Sequence, residues 1–548
     1  MATSGTVGPT EGAFDHIVVG AGSAGCAVAA RLSEDSGTRV LLLEAGPVDR
    51  NPWIHLPIGY YRTMFDPNVA WRFETEPEPE LNGRQILWPR GKVLGGSSSI
   101  NGLVYIRGQA EDYDHWRQLG NAGWSFDDVL PFFRKAEDFA RGPDAYHGVG
   151  GPLKVSDPTY RMELCDAFIE AAAQAGIPRN DDCNGATQEG CGYFQLTTRN
   201  GRRCSAAVAY LRPAKNRPNL RIETLAPTCR LLLDGKRVIG VEYRQGGQLR
   251  RAMAPNVTLC GGAIASPQIL MLSGIGPAGH LREVGIEPVH DLPGVGQSLQ
   301  DHFQARAVYR SPLPVTLNDE ANAIWKKIRM GLRYALFRDG PLTVGAGTVA
   351  LFARTRPELV TPDVQFHVIP FSADRPGTPL HDYSGYTISV CQLRPESRGD
   401  LTLRDADPTS PPRIRANYLA AENDRRTMID GFHLVRRVMH QPAMRPYLAE
   451  ETIPGAGVVS DEAVLAYIRD KGGTIFHPTS TCKMGPDGDR LAVVDERLRV
   501  KGIAGLRVAD CSIMPAVISG NTNAPAIMIG EKAAAMIRED GLKTPAAA

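Results

Sequence analysis

Residues 14–46 read FDHIVVGAGSAGCAVAARLSEDSGTRVLLLEAG, and this stretch decides the fold. The apolar run at 14–19 predicts a buried parallel strand, residues 24–32 have helical composition, and residues 39–43 predict a second strand. The motif Gly20-x-Gly22-x-x-Gly25 lies between the first strand and the helix. This order predicts a βαβ unit that binds a nucleotide.

Each glycine of the motif has a physical task. Gly20 allows the tight turn, Gly22 lets the backbone approach a diphosphate, and Gly25 lets the helix pack closely on the strand. The diphosphate would lie at the helix N-terminus, where free N–H groups favour anions. Glu44 ends the second strand and can accept hydrogen bonds from ribose hydroxyls, which disfavours NADP. A glycine turn that binds nothing is the alternative, and the motif alone does not separate FAD from NAD.

Length and composition limit the function classes. The chain of 548 residues is long for one domain and predicts two. Its net charge of +1 gives no electrostatic reason to expect nucleic acid as a partner. No apolar stretch reaches the roughly 18 residues of a transmembrane helix, and residues 1–13 lack the pattern of a signal peptide.

The ten cysteines are scattered and form no C-x-x-C motif. A disulfide framework or a zinc ribbon would show regular spacing. We therefore predict buried free thiols in a reducing cytoplasm, and no metal site.

Two more glycine-rich blocks follow. Residues 90–108 read RGKVLGGSSSINGLVYIRG, where Arg90 and Lys92 precede a Gly/Ser loop that can present N–H groups and hydroxyls to an anion. Residues 261–277 read GGAIASPQILMLSGIGP and follow a predicted strand at 257–260. A plain surface loop is the alternative for the first of these blocks, and a second strand-to-helix turn of the same sheet for the other.

Residues 476–485 read FHPTSTCKMG and leave four interpretations of His477 open. A metal site lacks ligands, since only Cys482 is near in sequence. A nucleophile pair of Cys482 and His477 lacks any other sign of acyl transfer. A packed structural histidine is the usual outcome for one histidine among twelve. A catalytic base is the fourth, because the pKa of histidine suits it, and Pro478 would hold His477 in extended geometry.

These blocks, together with ISGNTNAPAIMIGEKAA at 518–534, resemble the glucose–methanol–choline (GMC) family of FAD-dependent oxidoreductases over about residues 14–540. Within the family, the chain is most similar to choline dehydrogenase-like bacterial alcohol dehydrogenases. The resemblance implies an α/β fold, α+β overall. A Rossmann-like FAD-binding domain would combine residues 14–155, 220–310 and 465–540. Residues 156–219 and 311–464 would form a substrate-binding domain with an antiparallel sheet backed by helices.

Local patterns agree with this division of the chain. Residues 363–371, 386–394 and 398–407 predict strands of the antiparallel sheet. Residues 506–509 predict a last strand of the cofactor domain, followed by a helix at about 525–537. A substrate pocket is expected between this sheet and the flavin. Phe366, Val368 and Phe371 could line it, and ordinary core packing accounts for these apolar residues at least as well.

The resemblance also implies the site. His477 would be the base, and Asn521 would hold the substrate oxygen so that the C–H bond points at the flavin. FAD would be non-covalent, because the histidine that attaches FAD in some members corresponds to Ile100. The implied FAD-binding residues are Gly20, Ala21, Gly22, Ser23, Ala24, Gly25, Glu44, Ala45, Arg90, Gly95, Gly96, Ser97, Asn101, Gly102, Leu103, Val104, Thr228, Asp510, Thr522 and Asn523.

The implied reaction is oxidation of a primary alcohol to an aldehyde by hydride transfer to flavin N5. The electrons would pass to a quinone or another acceptor than O₂. The alternatives are an alcohol oxidase that releases H₂O₂, a choline dehydrogenase, a cyanohydrin lyase, a fatty-acid photodecarboxylase and a flavin protein without turnover. The intact pair of His477 and Asn521 argues against the last two. We predict a cytoplasmic protein; peripheral contact with the inner membrane and the oligomeric state stay open.

Overall fold

The computed structural model describes residues 7–11, 14–375 and 377–543, with side chains at 14–375 and 377–541. Most of the N-terminal segment considered above for a signal peptide lies outside these residues. The described chain is of mixed α/β type, and it is built around one parallel and one antiparallel sheet, as predicted.

A five-stranded parallel sheet confirms the Rossmann-like prediction. All its neighbouring strands are parallel, although they come from three distant parts of the chain. Their spatial order is Leu220–Glu223, Val40–Leu43, His16–Val19, Asn256–Leu259 and Leu506–Val508. The predicted strands at 14–19, 39–43, 257–260 and 506–509 therefore exist, each shorter or shifted by one or two residues.

Three helices connect and cover this sheet. Ser23–Leu32 follows the first strand, and Gly262–Leu272 follows the strand Asn256–Leu259. Asn523–Lys543 packs along Ser23–Leu32. The two helices approach closely because Gly530 has no side chain: a Cβ there would lie 2.5 Å from the Ala24 carbonyl oxygen.

A seven-stranded antiparallel sheet forms the second layer. Its main path runs Glu450–Ile453, Phe303–Arg310, Gly385–Gln392, Val364–Ile369, Val349–Ala353 and Gly190–Tyr193, and Gly473–Thr474 pairs with Phe303–Arg310. The helices Glu422–Met439 and Glu163–Gln174 pack against it. An antiparallel sheet backed by helices is thus confirmed.

Side chains of this sheet alternate between two environments, as strand geometry requires. Phe366 and Val368 are 0% and 1% exposed and belong to the core. Their neighbours His367 and Ile369 line a cavity on the opposite face, and so does Phe371. Of the three candidate lining residues, only Phe371 lies in the cavity wall.

The structure differs from the sequence-based prediction at two boundaries. The predicted strand at 398–407 is wrong in extent, because only Asp400–Thr402 is a strand and it pairs with Arg413–Arg415 outside the large sheet. Phe303–Arg310 lies inside the antiparallel sheet, although the predicted cofactor segment runs to residue 310. The division into domains stays a prediction.

The remaining main elements complete the fold. A four-stranded sheet has the order Val7–Glu11, Gln248–Met253, Arg237–Gln245 and Thr228–Asp234. The strands Ala70–Glu74 and Leu87–Gly91 pair with each other. Further helices are Ala110–Gln118, Phe126–Ala136, Ile324–Phe337 and Asp461–Lys471. All ten cysteines are free, as predicted, and no helix in the described ranges is long and apolar enough to cross a membrane.

A buried charge cluster surrounds His147. Its Nδ1 lies 3.0 Å from a Glu137 carboxylate oxygen, and its Nε2 lies 2.9 Å from Asp182. Arg107 donates to Glu137 at 2.7 Å. The ligand atoms of Asp144, His147 and Asp182 lie within 4.8 Å of one another. Both ring nitrogens of His147 already face carboxylates, so we interpret the group as an ion-pair cluster. Burial lowers the pKa of His147, but the hydrogen bonds to Asp182 and Glu137 outweigh it and raise that pKa to about 9.

This cluster makes stability depend on pH. The folded pKa of His147 exceeds the unfolded value, so its contribution is present below about pH 6.5 and is lost as the pH rises toward 9. We expect His147→Gln to lower the free energy of unfolding at pH 6 by on the order of 2 kcal/mol, and to lower it much less at pH 9. Scanning calorimetry across this range tests it, with the exposed His440→Gln as control. An equal loss at both pH values would contradict the assignment.

Candidate active site

One cavity collects residues from the second glycine-rich block, the antiparallel sheet and the C-terminal segment. Predicted site residues in its wall are Ser23, Arg90, Ser97, Asn101, Gly102, Leu103, Val104, His477, Asn521, Thr522 and Asn523. The other predicted residues are outside the cavity wall: Gly20, Ala21, Gly22, Ala24, Gly25, Glu44, Ala45, Gly95, Gly96, Thr228 and Asp510. The structure therefore brings both predicted catalytic residues together with nine of the twenty predicted cofactor residues.

The two N-terminal glycine loops touch backbone to backbone. Gly20 has φ +100°, and a Cβ on Gly25 would lie 1.9 Å from the Gly20 carbonyl oxygen. A Cβ on Gly96 would lie 2.6 Å from the Gly22 Cα. On Gly22 itself a Cβ would have its nearest atom at 3.9 Å, so this side of the loop is open. The helix Ser23–Leu32 has no acidic residue in its first turn. Because no carboxylate there would repel an anion, the open side of Gly22 fits a diphosphate.

Glu44 is engaged with the glycine loop. Its two carboxylate oxygens accept the N–H groups of Ala21 at 2.9 Å and Gly46 at 2.8 Å. Burial raises its pKa to about 7, and these hydrogen bonds act against that rise. Each oxygen keeps a second acceptor position, so the predicted ribose contact stays a proposal. Thr228 Oγ1 is buried without a hydrogen-bond partner among the described residues, which fits a ligand at this end of the site.

The carboxylate of Asp510 is hydrogen-bonded to other protein groups and lies outside the cavity wall. Its carboxylate accepts the Gly262 N–H at 2.8 Å, the Ser266 hydroxyl at 2.6 Å and the Ser512 N–H at 2.8 Å. It thereby joins the third glycine-rich block to the C-terminal segment. Asp510 is outside the cavity wall, and its contact with FAD stays a prediction.

Arg203 shapes the second glycine-rich block, and sequence reasoning missed it. The side chain is 2% exposed, and its guanidinium donates to the Asn101 Oδ1 and carbonyl oxygen, both at 2.7 Å. It also donates to the Ser98 carbonyl at 3.1 Å. Leu103 has φ +68°, and its N–H donates to Asn101 Oδ1 at 3.1 Å. Arg203 thus holds an irregular backbone in the cavity wall.

His477 is held by two adjacent residues that precede Phe303–Arg310. Asp301 accepts the His477 backbone N–H at 2.6 Å, and the Nδ1 atoms of His302 and His477 lie 3.0 Å apart. Phe476, just before His477, has φ +70°, and Arg90 donates to its carbonyl at 2.6 Å. These contacts fix the direction of the His477 side chain, and the contribution of Pro478 stays a prediction.

The hydrogen bonds assign the tautomers of both histidines. His302 Nε2 lies 2.9 Å from the Leu393 carbonyl oxygen, which can only accept, so this nitrogen carries the proton. His302 Nδ1 is then the acceptor for His477 Nδ1–H. The lone pair of His477 is then on Nε2, which accepts a hydrogen bond from Asn521 Nδ2 at 3.2 Å. This is the arrangement that a general base needs.

Charge on His477 is strongly disfavoured. Burial lowers its pKa well below the usual value, and His302, His367 and Arg90 act in the same direction. Burial also lowers the pKa of His302 to about 4. Both rings are therefore neutral near pH 7, as the tautomer assignment requires.

Gln365 supports Asn521, and His367 lies in the cavity wall on the same strand as Gln365. Gln365 Nε2 donates to Asn521 Oδ1 at 3.1 Å, which directs the Asn521 NH₂ group toward His477. His367 lines the cavity, and its buried Nδ1 has no hydrogen-bond partner in the described part of the chain. Neither residue carries a motif, because both occupy ordinary strand positions.

Cys482 and Thr481 of the stretch 476–485 take structural roles. Cys482 is 0% exposed, and burial raises its pKa well above the usual value, so it is no thiolate partner for His477. Thr481 donates to the Ala263 carbonyl at 2.7 Å. Of the four interpretations of His477, the geometry favours the base.

Comparison with known proteins places two segments, 14–304 and 395–530, in the GMC oxidoreductase family. Mitochondrial choline dehydrogenase of Mus musculus is 43% identical over 541 residues, which cover 97% of this chain and 90% of that protein. Pyridoxine 4-oxidase from Mesorbium loti has a TM-score of 0.87 at 31% identity, with 96% and 99% of the two chains covered. A formate oxidase from Aspergillus oryzae RIB40, whose structure was solved to study the effect of a mutation on FAD modification, has a TM-score of 0.91 at 26% identity. The match covers 98% of this chain and 100% of that chain.

His302 should control the rate through the tautomer of His477. We expect His302→Leu to slow anaerobic flavin reduction by alcohol by about 10-fold or more, because the Nδ1–H of His477 loses its acceptor. FAD content should stay unchanged. Stopped-flow absorbance measures the rate, and the exposed His440→Leu serves as the control. Reduction at the wild-type rate would show that His302 does not set the tautomer.

Proposed function

Since the chain belongs to the GMC oxidoreductase family, flavoenzymes that act on alcohols, we propose that it is a dehydrogenase for a primary alcohol. The product would be the aldehyde, and a quinone or another acceptor than O₂ would take the electrons. The observation that carries this proposal is the pair of His477 Nε2 and Asn521 Nδ2, 3.2 Å apart in the cavity wall.

The cofactor is FAD, which supplies a hydride acceptor when bound. The loop contact between Gly22 and Gly96 and the open side of Gly22 support the diphosphate position. We propose non-covalent binding. Ile100 stands in the cavity wall where the resemblance would put an attachment histidine, and residues 90–108 contain no histidine.

His477 would take the hydroxyl proton on Nε2. Its neutral state at pH 7 leaves the lone pair available. The buried Asp301 carboxylate, hydrogen-bonded to the His477 N–H, would stabilise the positive ring that forms. Asn521 Nδ2 would donate to the substrate oxygen, and Gln365 would hold that amide in place.

An oxidase is the second candidate, since two of the similar solved structures are oxidases. Choline is a further candidate substrate, because the mouse relative is a choline dehydrogenase. Tyr60, Tyr61 and Phe371 in the cavity wall could contact a quaternary ammonium group, with the rings of Tyr61 and Phe371 5.9 Å apart. No Asp or Glu in the described ranges lines the cavity, which disfavours choline.

We also propose peripheral contact with a membrane through the helix Ile324–Phe337. None of its residues is buried. Its apolar face consists of Ile324, Trp325, Ile328, Leu332 and Leu336, which are 64%, 79%, 48%, 59% and 72% exposed. Cations beside this face are Lys327; Lys326 and Arg329, which both pair with Glu320; and Arg333, which pairs with Asp339. Such a helix suits an anionic lipid surface. The chain then continues to Ala346 in the cavity wall, which would place the site near a membrane quinone.

The base and its partner can be tested directly. We expect His477→Ala to keep FAD and to slow anaerobic flavin reduction by alcohol by about 10²-fold or more, because no group takes the hydroxyl proton. Asn521→Ala should slow it as well, with FAD content intact.

A panel of alcohols, choline and sugars is added without O₂, and absorbance bleaching identifies substrates. Readmitting O₂ or a quinone then identifies the acceptor. Bleaching by none of the panel would count against the proposal.

The helix can be tested with vesicles. We expect the double change Trp325→Glu and Leu332→Glu to weaken flotation with phosphatidylglycerol vesicles by about 10-fold or more, because charges replace the apolar contact. The control adds equal charge at other exposed apolar positions, Val360→Glu and Val459→Glu, which are 89% and 65% exposed. Equal loss in both proteins would exclude this helix as the contact.

A further inference from the structure

The cavity wall formed by the antiparallel sheet carries an arginine. Arg306 pairs with Ser389 on the next strand, and Ser389 pairs with His367 on the strand beyond it. Directly opposed residues of antiparallel strands point to the same face, and all three line the cavity. The row therefore runs from Arg306 toward the proposed catalytic pair.

Arg306 has no partner within the described residues. Its guanidinium makes no hydrogen bond or ion pair, whereas Arg90 in the same wall donates to the Phe476 carbonyl. Arg375, the third arginine of the wall, is exposed. No Asp or Glu of the described chain lines the cavity, so no protein anion faces Arg306.

This position is costly for a cation. Burial lowers the pKa of Arg306, and the groups that act against this are only Tyr60, Tyr467 and Tyr61. Burial raises the pKa of Tyr60, so its phenol stays neutral and cannot compensate the charge. A mostly buried cation without a counterion is unfavourable unless a ligand supplies the anion.

We infer that Arg306 binds a carboxylate of the substrate, so that the alcohol oxidised at His477 and Asn521 is a hydroxy acid. The planar guanidinium matches a carboxylate with two parallel hydrogen bonds. The inference rests on the proposed function and names its substrate class. It also predicts weak binding of a quaternary ammonium alcohol, which Arg306 would repel.

The sheet spacing limits where the two ends of the substrate lie. Arg306 and His367 are two strands apart, roughly 10 Å between backbones. Asn521 lies next to His367, whose pKa it influences through a side-chain hydrogen bond. The carboxylate is thus remote from the reacting carbon, which favours an ω-hydroxy acid over an α-hydroxy acid.

Binding is measured first, without turnover. Alkanoates from butanoate to decanoate and the matching primary amides lack the hydroxyl group, and their Kd values follow from changes in the flavin spectrum of the holoenzyme. We expect the best alkanoate to bind about 10-fold or more tightly than its amide. Arg306→Met should remove this ratio. Arg310→Met, on the same strand but outside the cavity wall, should keep it.

Turnover is measured next with ω-hydroxyalkanoates and their amides. Arg306→Met should raise the half-saturating concentration of the acid about 10-fold and leave that of the amide unchanged. Arg306→Glu should reverse the preference toward an amino alcohol. Equal binding of alkanoate and amide by the wild type would overturn the inference, and so would an equal effect of Arg306→Met on both. If no alcohol is oxidised, the proposed function fails, and the binding ratio still decides the role of Arg306.

Discussion

The contact between the two glycine-rich loops sets the position of the rest of the site. A Cβ on Gly96 would lie 2.6 Å from Gly22, and one on Gly102 would lie 2.1 Å from the Ala346 Cβ. Gly96 and Gly102 of the second block therefore have no room for a side chain, because Gly22 of the first glycine-rich turn and Ala346 lie against them. Because packed backbones deform little, the start of Ser23–Leu32 and the cavity wall keep a fixed relation.

The strand Phe303–Arg310 and the two residues before it set both the orientation of His477 and the charge of the cavity wall. The residues before Phe303–Arg310 hold His477, Asp301 through the backbone and His302 through the ring. Arg306 lies farther along the same strand and points into the cavity. The orientation of the proposed base and the charge of the cavity wall thus depend on one segment, so a change in its register would alter both.

Sequence patterns were reliable where the signal is local. The strands and helices of the parallel sheet and the antiparallel sheet could be predicted, since runs of apolar residues and glycine turns act within a few positions. The strand at 398–407 was too long, because alternation does not show where a partner strand ends. Asp510 accepts hydrogen bonds from Gly262, Ser266 and Ser512, which no local pattern indicates, and its contact with FAD stays a prediction. Arg203, His302 and Gln365 carry no motif, and their roles come from partners far away in the chain.

The sequence by itself determined the nucleotide fold, the glycine-rich blocks and the candidate pair of His477 and Asn521, because these depend on residue type within short motifs. Only the tertiary structure decided that His302 places the lone pair of His477 on Nε2. It also decided that Arg306 stands in a cavity wall to which the described part of the chain contributes no Asp or Glu. Both results depend on which strands lie side by side, and strand order arises from long-range packing that no local pattern specifies.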